Sequence, residues 1–194
     1  MIIGLTGQTG AGKSTVCQFL EQKDVVIIDC DKVAREVTEK GSYVLVELAK
    51  AFGEDILLGD GSLNRRELAC RAFKSQEKTE LLNSITHPAI TAAIKEKIAQ
   101  YPNKTIILDA PTLIESGVFR LCDKIIAVVA DKAVRKERIL ARDNISNEEA
   151  ERRMSAQKDD AFYAEYADGL IYNNGSKQEA EEKTQQIFKE IGVL

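Results

Sequence analysis

The stretch Gly4-Leu5-Thr6-Gly7-Gln8-Thr9-Gly10-Ala11-Gly12-Lys13-Ser14-Thr15, preceded only by Met1, Ile2 and Ile3, decides the fold. Residues Gly7 to Ser14 fit the spacing G-x-x-x-x-G-K-[ST]. Its glycines let backbone N–H groups turn toward phosphate oxygens. The helix that should follow adds the positive end of its dipole. Lys13 supplies a compact cation for the β- and γ-phosphates, and the Ser14 hydroxyl is placed to coordinate Mg²⁺. Gly10, Ala11, Gly12, Lys13, Ser14 and Thr15 are therefore the expected nucleotide-binding residues. With glycine at about 7% of residues, a chance match is expected about once per hundred chains of this length. The context sharpens the match: an apolar strand, Ile2–Thr6, leads in and a helical pattern leads out.

Working outward, short apolar runs recur at Val25–Asp29, Thr105–Ala110, Lys124–Ala130 and Gly169–Tyr172. They are apolar on both faces and rich in Ile and Val, as buried parallel strands are. Helical patterns alternate with them, the first from Lys13 to about Lys23 and the last over Lys177–Ile191. The expectation is an α/β, three-layer P-loop NTPase fold: a five-stranded parallel sheet with helices on both faces. Ligands bind at the carboxyl ends of such strands. Between Asp31 and Asn103 the alternation stops, and only helical patterns appear: Asp31–Lys40, Tyr43–Phe52, Arg65–Phe73, Gln76–Ile85 and His87–Tyr101. That is more than a simple crossover needs. The chain thus reads as one domain, residues 1–194, with a helical insertion at about 31–103 and a helical lid at about 135–158.

Composition narrows the function classes. A net charge of −4 argues against a dedicated nucleic-acid binder, since phosphate backbones want a basic surface. The four cysteines show no C-x-x-C pair and the chain has a single histidine, so a zinc site is not expected. No export signal and no bilayer-length apolar run are read, which with free thiols points to the cytoplasm. The expected partners are small molecules, with no nucleic acid, no membrane and no obligate protein partner evident.

The second strand ends V-V-I-I-D-C-D. If it stays extended, Asp29 and Asp31 share a face at the ligand edge, where a carboxylate can take a substrate proton or help hold a metal. Asp31 can equally cap the next helix, and position alone leaves both readings open. Asp109 closes the third strand and suits a water-mediated Mg²⁺ contact, or a turn. Arg135, Arg138 and Arg142 share a helix face at i, i+3, i+7. A polar turn follows, and Ser146-Asn147-Glu148-Glu149 reads as a capping box. Arg138 and Arg142 read as lid arginines over a nucleotide, whereas Arg135, Arg152 and Arg153 read as a solvated face paired with glutamates. His87 precedes Pro88 at an expected helix start and reads first as structural. Asn173-Asn174-Gly175 reads as a turn at the ligand edge, where an adenine can rest against Asn174.

Together these segments resemble the dephospho-coenzyme A kinases. The resemblance is carried by the glycine loop, I-D-C-D-K-V-A-R-E-V at Ile28–Val37, A-F-G-E-D-I-L at Ala51–Leu57 and D-G-S-L-N-R-R-E-L at Asp60–Leu68. It continues through I-T-H-P-A-I at Ile85–Ile90, R-I-L-A-R-D at Arg138–Asp143, Gln157, and A-D-G-L-I-Y-N-N-G-S at Ala167–Ser176. It implies ATP as donor with Mg²⁺, the ribose 3′-hydroxyl of dephospho-coenzyme A as acceptor, and Asp31 as the base facing that hydroxyl. It further implies Arg142 as the arginine contacting the nucleotide phosphates, and Arg65, His87 and Leu113 as acceptor contacts. The chain departs from the family at Gln8, Thr9 and Ala11, at Thr112, and at Arg135, where glutamine is common. Two rival readings are another small-molecule kinase and a nucleotide switch. Against a guanine switch, Asn103-Lys104-Thr105-Ile106 lacks the aspartate of N-K-x-D and precedes the third strand.

Overall fold

The computed structural model describes residues 1–194. The chain divides into two compact units: residues 1–28 with 103–194, and residues 29–102. No helix is long and apolar enough to cross a membrane.

The first unit is built on a five-stranded sheet. In chain order its strands are β1 (Ile2–Gly7), β2 (Val25–Asp29), β3 (Thr105–Asp109), β4 (Lys124–Val129) and β5 (Gly169–Tyr172). They lie in the order β2-β3-β1-β4-β5. β1 runs parallel to β3 and β4, and β4 parallel to β5. The chain winds to one side of β1 through β2 and β3, then crosses to β4 on the other. The topological switch point, where such sheets bind ligands, therefore adjoins the carboxyl end of β1.

Alternation along the strands assigns the layers. Ile126 and Val128 of β4 join Ile3 and Leu5 of β1 in one apolar cluster. This cluster is completed by Val16 and Leu20 of helix α1 (Lys13–Leu20) and by Phe188 of the carboxyl-terminal helix (Lys177–Glu190). The intervening Ala127 and Val129 pack instead with Ile114 and Tyr163. Both faces are thus covered, as the uninterrupted apolar strands require.

The second unit is helical: α2 (Cys30–Glu36), α3 (Tyr43–Phe52), α4 (Arg65–Ala72) and α5 (Gln76–Ala99). The core between these helices comes from Val44, Leu48 and Phe52 with Leu68, Ala72 and Ala89. Side-chain caps start all four, with Asp29, Ser42, Asn64 and Ser75 each accepting the N–H three residues on.

Two expectations fail here. The chain does not stay extended to Asp31, because Asp29 caps α2 by accepting the Lys32 N–H at 2.9 Å. Asp31 falls in the first helical turn, off the face it would share in a strand. The helices expected at Gln76–Ile85 and His87–Tyr101 are one, with Pro88 inside it and His87 mid-helix. Pro88 removes the N–H that would reach the Ser84 carbonyl. Nearby hydroxyls bond back to the preceding turn, Ser84 to the Leu81 carbonyl and Thr86 to that of Leu82. Buried Ala89 and Ile94 hold the distal half in register. Substituting Pro88→Ala should stabilise the protein by about 1–3 kcal/mol, by restoring a helix bond and removing a clash. Denaturant unfolding at constant m-value reads this out; an unchanged or lower midpoint would contradict it.

Candidate active site

The phosphate loop leaves β1 at Gly7 and enters α1 at Lys13. Gly10 and Gly12 adopt φ of 78° and 94°, a region that disfavours side chains. Space forbids a side chain at Gly12 as well, since a Cβ there would lie 2.0 Å from Asn173 Nδ2. The Ala11 N–H closes a turn on the Gln8 carbonyl at 3.1 Å, and that of Thr15 goes to Gly12 at 3.0 Å. The Thr9 N–H is taken by Gln157 Oε1 at 2.9 Å. No carbonyl or side chain of the protein accepts the N–H groups of Gly10, Gly12, Lys13 and Ser14, and no side chain caps α1. An uncapped helix start with unspent amides is an anion site.

These groups line a cavity of about 740 Å³, together with Asp109 and Pro111 after β3, and Asn173 and Gly175 after β5. Arg138 and Arg142 also line it, from helix α6 (Lys132–Asp143). Lys13 pairs with the Asp109 carboxylate. Beside them, burial and then the Asp109 charge push the Cys17 thiol up to about 12, against a lowering by Lys13. Arg142 grips Asp143 with two bonds, 2.7 and 2.9 Å, while its side chain stays 61% exposed.

Arg138 serves the loop's frame. Its guanidinium donates to the carbonyls of Asn173 at 2.9 Å, Gly175 at 3.3 Å and Ala11 at 3.4 Å. Asn173 Nδ2 donates to the same Ala11 carbonyl at 2.8 Å. Arg135 is not a solvated arginine: it is 6% exposed, and its Nε donates to the Thr9 carbonyl at 3.1 Å. Burial lowers its basicity, opposed by Asp160 and Tyr163. In the following helix, α7 (Asn147–Ser155), only the Ser146 half of the expected capping box forms, because the Glu149 carboxylate takes Arg153.

Gly10, Gly12, Lys13, Ser14, Thr15, Asp109, Arg138 and Arg142 thus meet on one cavity, as their sequence contexts suggested. Three expected contacts do not. Ala11 is fully buried, with its amide spent on a turn and its carbonyl on a brace. Asn174 turns away to accept the Asp131 N–H at 2.7 Å, and its neighbour Asn173 faces the loop instead. Leu113 has 0% exposure and packs where a Gly4 Cβ would stand, 2.4 Å from Cδ2, so it presents no surface to a substrate. Asp31, Arg65 and His87 belong to the helical unit. There Arg65 starts α4 and donates to the Arg35 carbonyl at 3.3 Å. Burial lowers the pKa of the half-buried His87. Residue reading missed Asn173, Gln157 and the burial of Arg135. The shared face of Arg135 and Arg138 was a signal for the last.

A phosphate loop at a switch point, with a lysine, a carboxylate and two arginines on one cavity, defines a P-loop nucleotide-binding protein. The family model described as dephospho-CoA kinase matches residues 1–179. The chain is 39% identical to the dephospho-CoA kinase of Corynebacterium efficiens over 192 residues, 97% of this chain and 96% of that protein. It is 38% identical to that of Fusobacterium nucleatum over 191 residues, 98% of each. The solved dephospho-CoA kinase of Campylobacter jejuni superposes with a TM-score of 0.73 at 26% identity, covering 98% of this chain and 96% of that one. A shikimate kinase of Bacteroides thetaiotaomicron, at 16% identity and a TM-score of 0.57 over 98% of each chain, shares the fold. The chain belongs to the dephospho-CoA kinase family, phosphotransferases that phosphorylate dephospho-CoA with ATP in the final step of coenzyme A biosynthesis.

The raised thiols make a further point testable. Burial, with Asp123 adding to it, pushes Cys122 up to about 12 as well. Only a thiolate reacts readily, so native Cys17 and Cys122 should be alkylated at pH 8 at least tenfold more slowly than exposed Cys70. Unfolding returns both thiols to an ordinary 9.0, so they stabilise the fold fully below pH 9 and lose that contribution as pH climbs toward 12. Site-resolved mass spectrometry checks the first point; equal labelling rates would refute it.

Proposed function

We propose that this chain acts in the cytoplasm and transfers the γ-phosphoryl group of Mg-ATP to the ribose 3′-hydroxyl of dephospho-coenzyme A. The observation that carries the donor half is the set of four unspent amides beside Lys13 at the uncapped start of α1. These groups hold the phosphate chain. Arg142 stabilises charge on the transferred group, and Arg138 keeps the loop in shape behind it.

In the reaction the acceptor oxygen forms a bond to the γ-phosphorus, and the bond from that phosphorus to the β–γ bridging oxygen breaks. ADP leaves, and the hydroxyl proton passes to Asp31. Family membership and the I-D-C-D-K-V-A-R-E-V match support that role for Asp31, as the T-H-P and L-N-R-R segments support acceptor contacts by His87 and Arg65. The cation fits the residues present. Ser14 and Asp109 offer hard oxygen donors on the same cavity, and no cluster of three His, Cys, Asp or Glu exists to cage a metal without the phosphates. When bound there, Mg²⁺ would neutralise charge on the β- and γ-oxygens. The remaining rate enhancement is positioning and electrostatics by the chain's own groups.

ADP release should be strong with dephospho-coenzyme A and at background with adenosine, AMP, CMP or shikimate, and Lys13→Ala should abolish it. Release with another acceptor would replace the acceptor assignment. Release independent of any acceptor would favour a nucleotide switch. Asp31→Asn should lower kcat by about 100-fold or more, the scale of a lost general base, with KM for ATP within about threefold. Turnover unchanged in that variant would remove Asp31 from the chemistry.

A further inference from the structure

The α6–α7 hairpin satisfies its own outer half. From Arg142 to Ser155 the side-chain bonds and ion pairs close on the hairpin itself: Arg142 and Arg153 on Asp143, Arg153 on Glu149, Lys136 on Glu151 and Ser155 on the Arg152 carbonyl. Ile139, Ala150 and Met154 form a small apolar seam of their own between the two helices.

Its two roots are different, because both are tied to the phosphate loop. At one root Arg135 Nε donates to the Thr9 carbonyl at 3.1 Å. At the other, Gln157 Oε1 accepts the Thr9 N–H at 2.9 Å, and the next carbonyl, of Lys158, accepts Gln8 Nε2 at 2.9 Å. Arg135 Nη2 reaches the same Gln157 oxygen at 3.5 Å and closes a ring through Thr9. Both backbone polar groups of Thr9 are therefore spent on the hairpin's roots. Gln8 is 4% exposed, and its Oε1 is buried with no donor, so the amide sits there for the bond its nitrogen makes.

We infer that Gln157 is a positioning residue for the nucleotide: with Arg135 it clamps Thr9 so that the four amides beyond it stay turned into the cavity. Apart from the Ala11 N–H on the Gln8 carbonyl, no bond within the loop fixes the peptides on either side of Thr9. Behind Ala11 the brace is separate, made by Asn173 and Arg138. With the clamp lost, the Thr9 peptides can rotate, and only a fraction of molecules presents the loop in its binding form. Apparent affinity falls by that fraction, so a drop to one in ten competent molecules weakens binding about tenfold. This rests on the donor half of the proposed function and not on the identity of the acceptor.

The test compares Gln157→Leu, which removes the acceptor atom, with Gln157→Glu, which keeps two acceptors for Thr9 and Arg135. Titration calorimetry with Mg-ATP, steady-state kinetics and thermal unfolding are read on each. In the leucine variant the Kd and KM for ATP should rise about tenfold, KM for dephospho-coenzyme A should stay within about twofold, and the glutamate variant should recover ATP affinity to within about threefold. Unchanged ATP affinity in Gln157→Leu would overturn the inference. So would equal losses in both variants that track a fall in Tm, since that pattern marks a merely structural contact. Calorimetry needs no acceptor, so a mistaken acceptor would leave this comparison intact, whereas a wild-type chain that fails to bind Mg-ATP would overturn both readings.

Discussion

Gly10, Gly12, Lys13 and Ser14 line one cavity, and no acceptor within the chain reaches their N–H groups. Such a cluster is costly to maintain, because each amide without a partner in the chain forgoes a protein hydrogen bond. The surroundings of the loop supply the restraint. Its carbonyls at Thr9 and Ala11 are pulled backward by Arg135, Arg138 and Asn173, and its one surplus amide, at Thr9, by Gln157. The cations therefore act on the reverse side of the peptide dipoles that are to meet phosphate. Holding a carbonyl from behind turns the following N–H forward, so buried Arg135 assists an anion site whose cavity it does not line.

The same logic explains why a chain of net charge −4 can carry a phosphate pocket. Its positive character comes from oriented backbone and a few placed side chains, and distant acidic residues are screened within about 10 Å at 0.1 M salt. Arg142 is kept as an ion pair with Asp143, whose carboxyl sits below its ordinary range because of that arginine. Asp143 also takes Arg153, which makes it the hub of the hairpin's charges.

The parts of this architecture that depend on local pattern were readable from the residues. Apolar runs marked all five strands, two of them end to end, and the glycine spacing marked the loop. Most of what escaped depends on distant partners. Pro88 is a helix breaker by local rules, and only packing on both sides keeps α5 continuous through it. Asp29 and Asp31 are equivalent as letters until the strand stops, and the bond from the Lys32 N–H decides which one caps. Arg135 looks like its solvated neighbours because its partners are a backbone carbonyl and a side chain more than twenty residues away. Asn173 and Asn174 differ only in which way the chain turns after β5. Leu113 was placed by likeness to a family segment, and a glycine on β1 lets it sink into the core instead. The roles proposed for Asp31, Arg65 and His87 rest on likeness to the family, because no local pattern distinguishes them.

One contact has a consequence for how the protein comes into being. The Ala11 carbonyl is braced by Asn173, a partner 162 residues downstream. On a ribosome adding about 5–20 residues per second, the loop emerges roughly ten to thirty seconds before its brace exists. Through that interval the nascent chain holds a glycine-rich segment whose frame is incomplete, free to sample many shapes. The phosphate loop, made well before its brace, is thus late to mature, and a chain truncated before the fifth strand would carry the nucleotide motif intact in sequence yet without its working form.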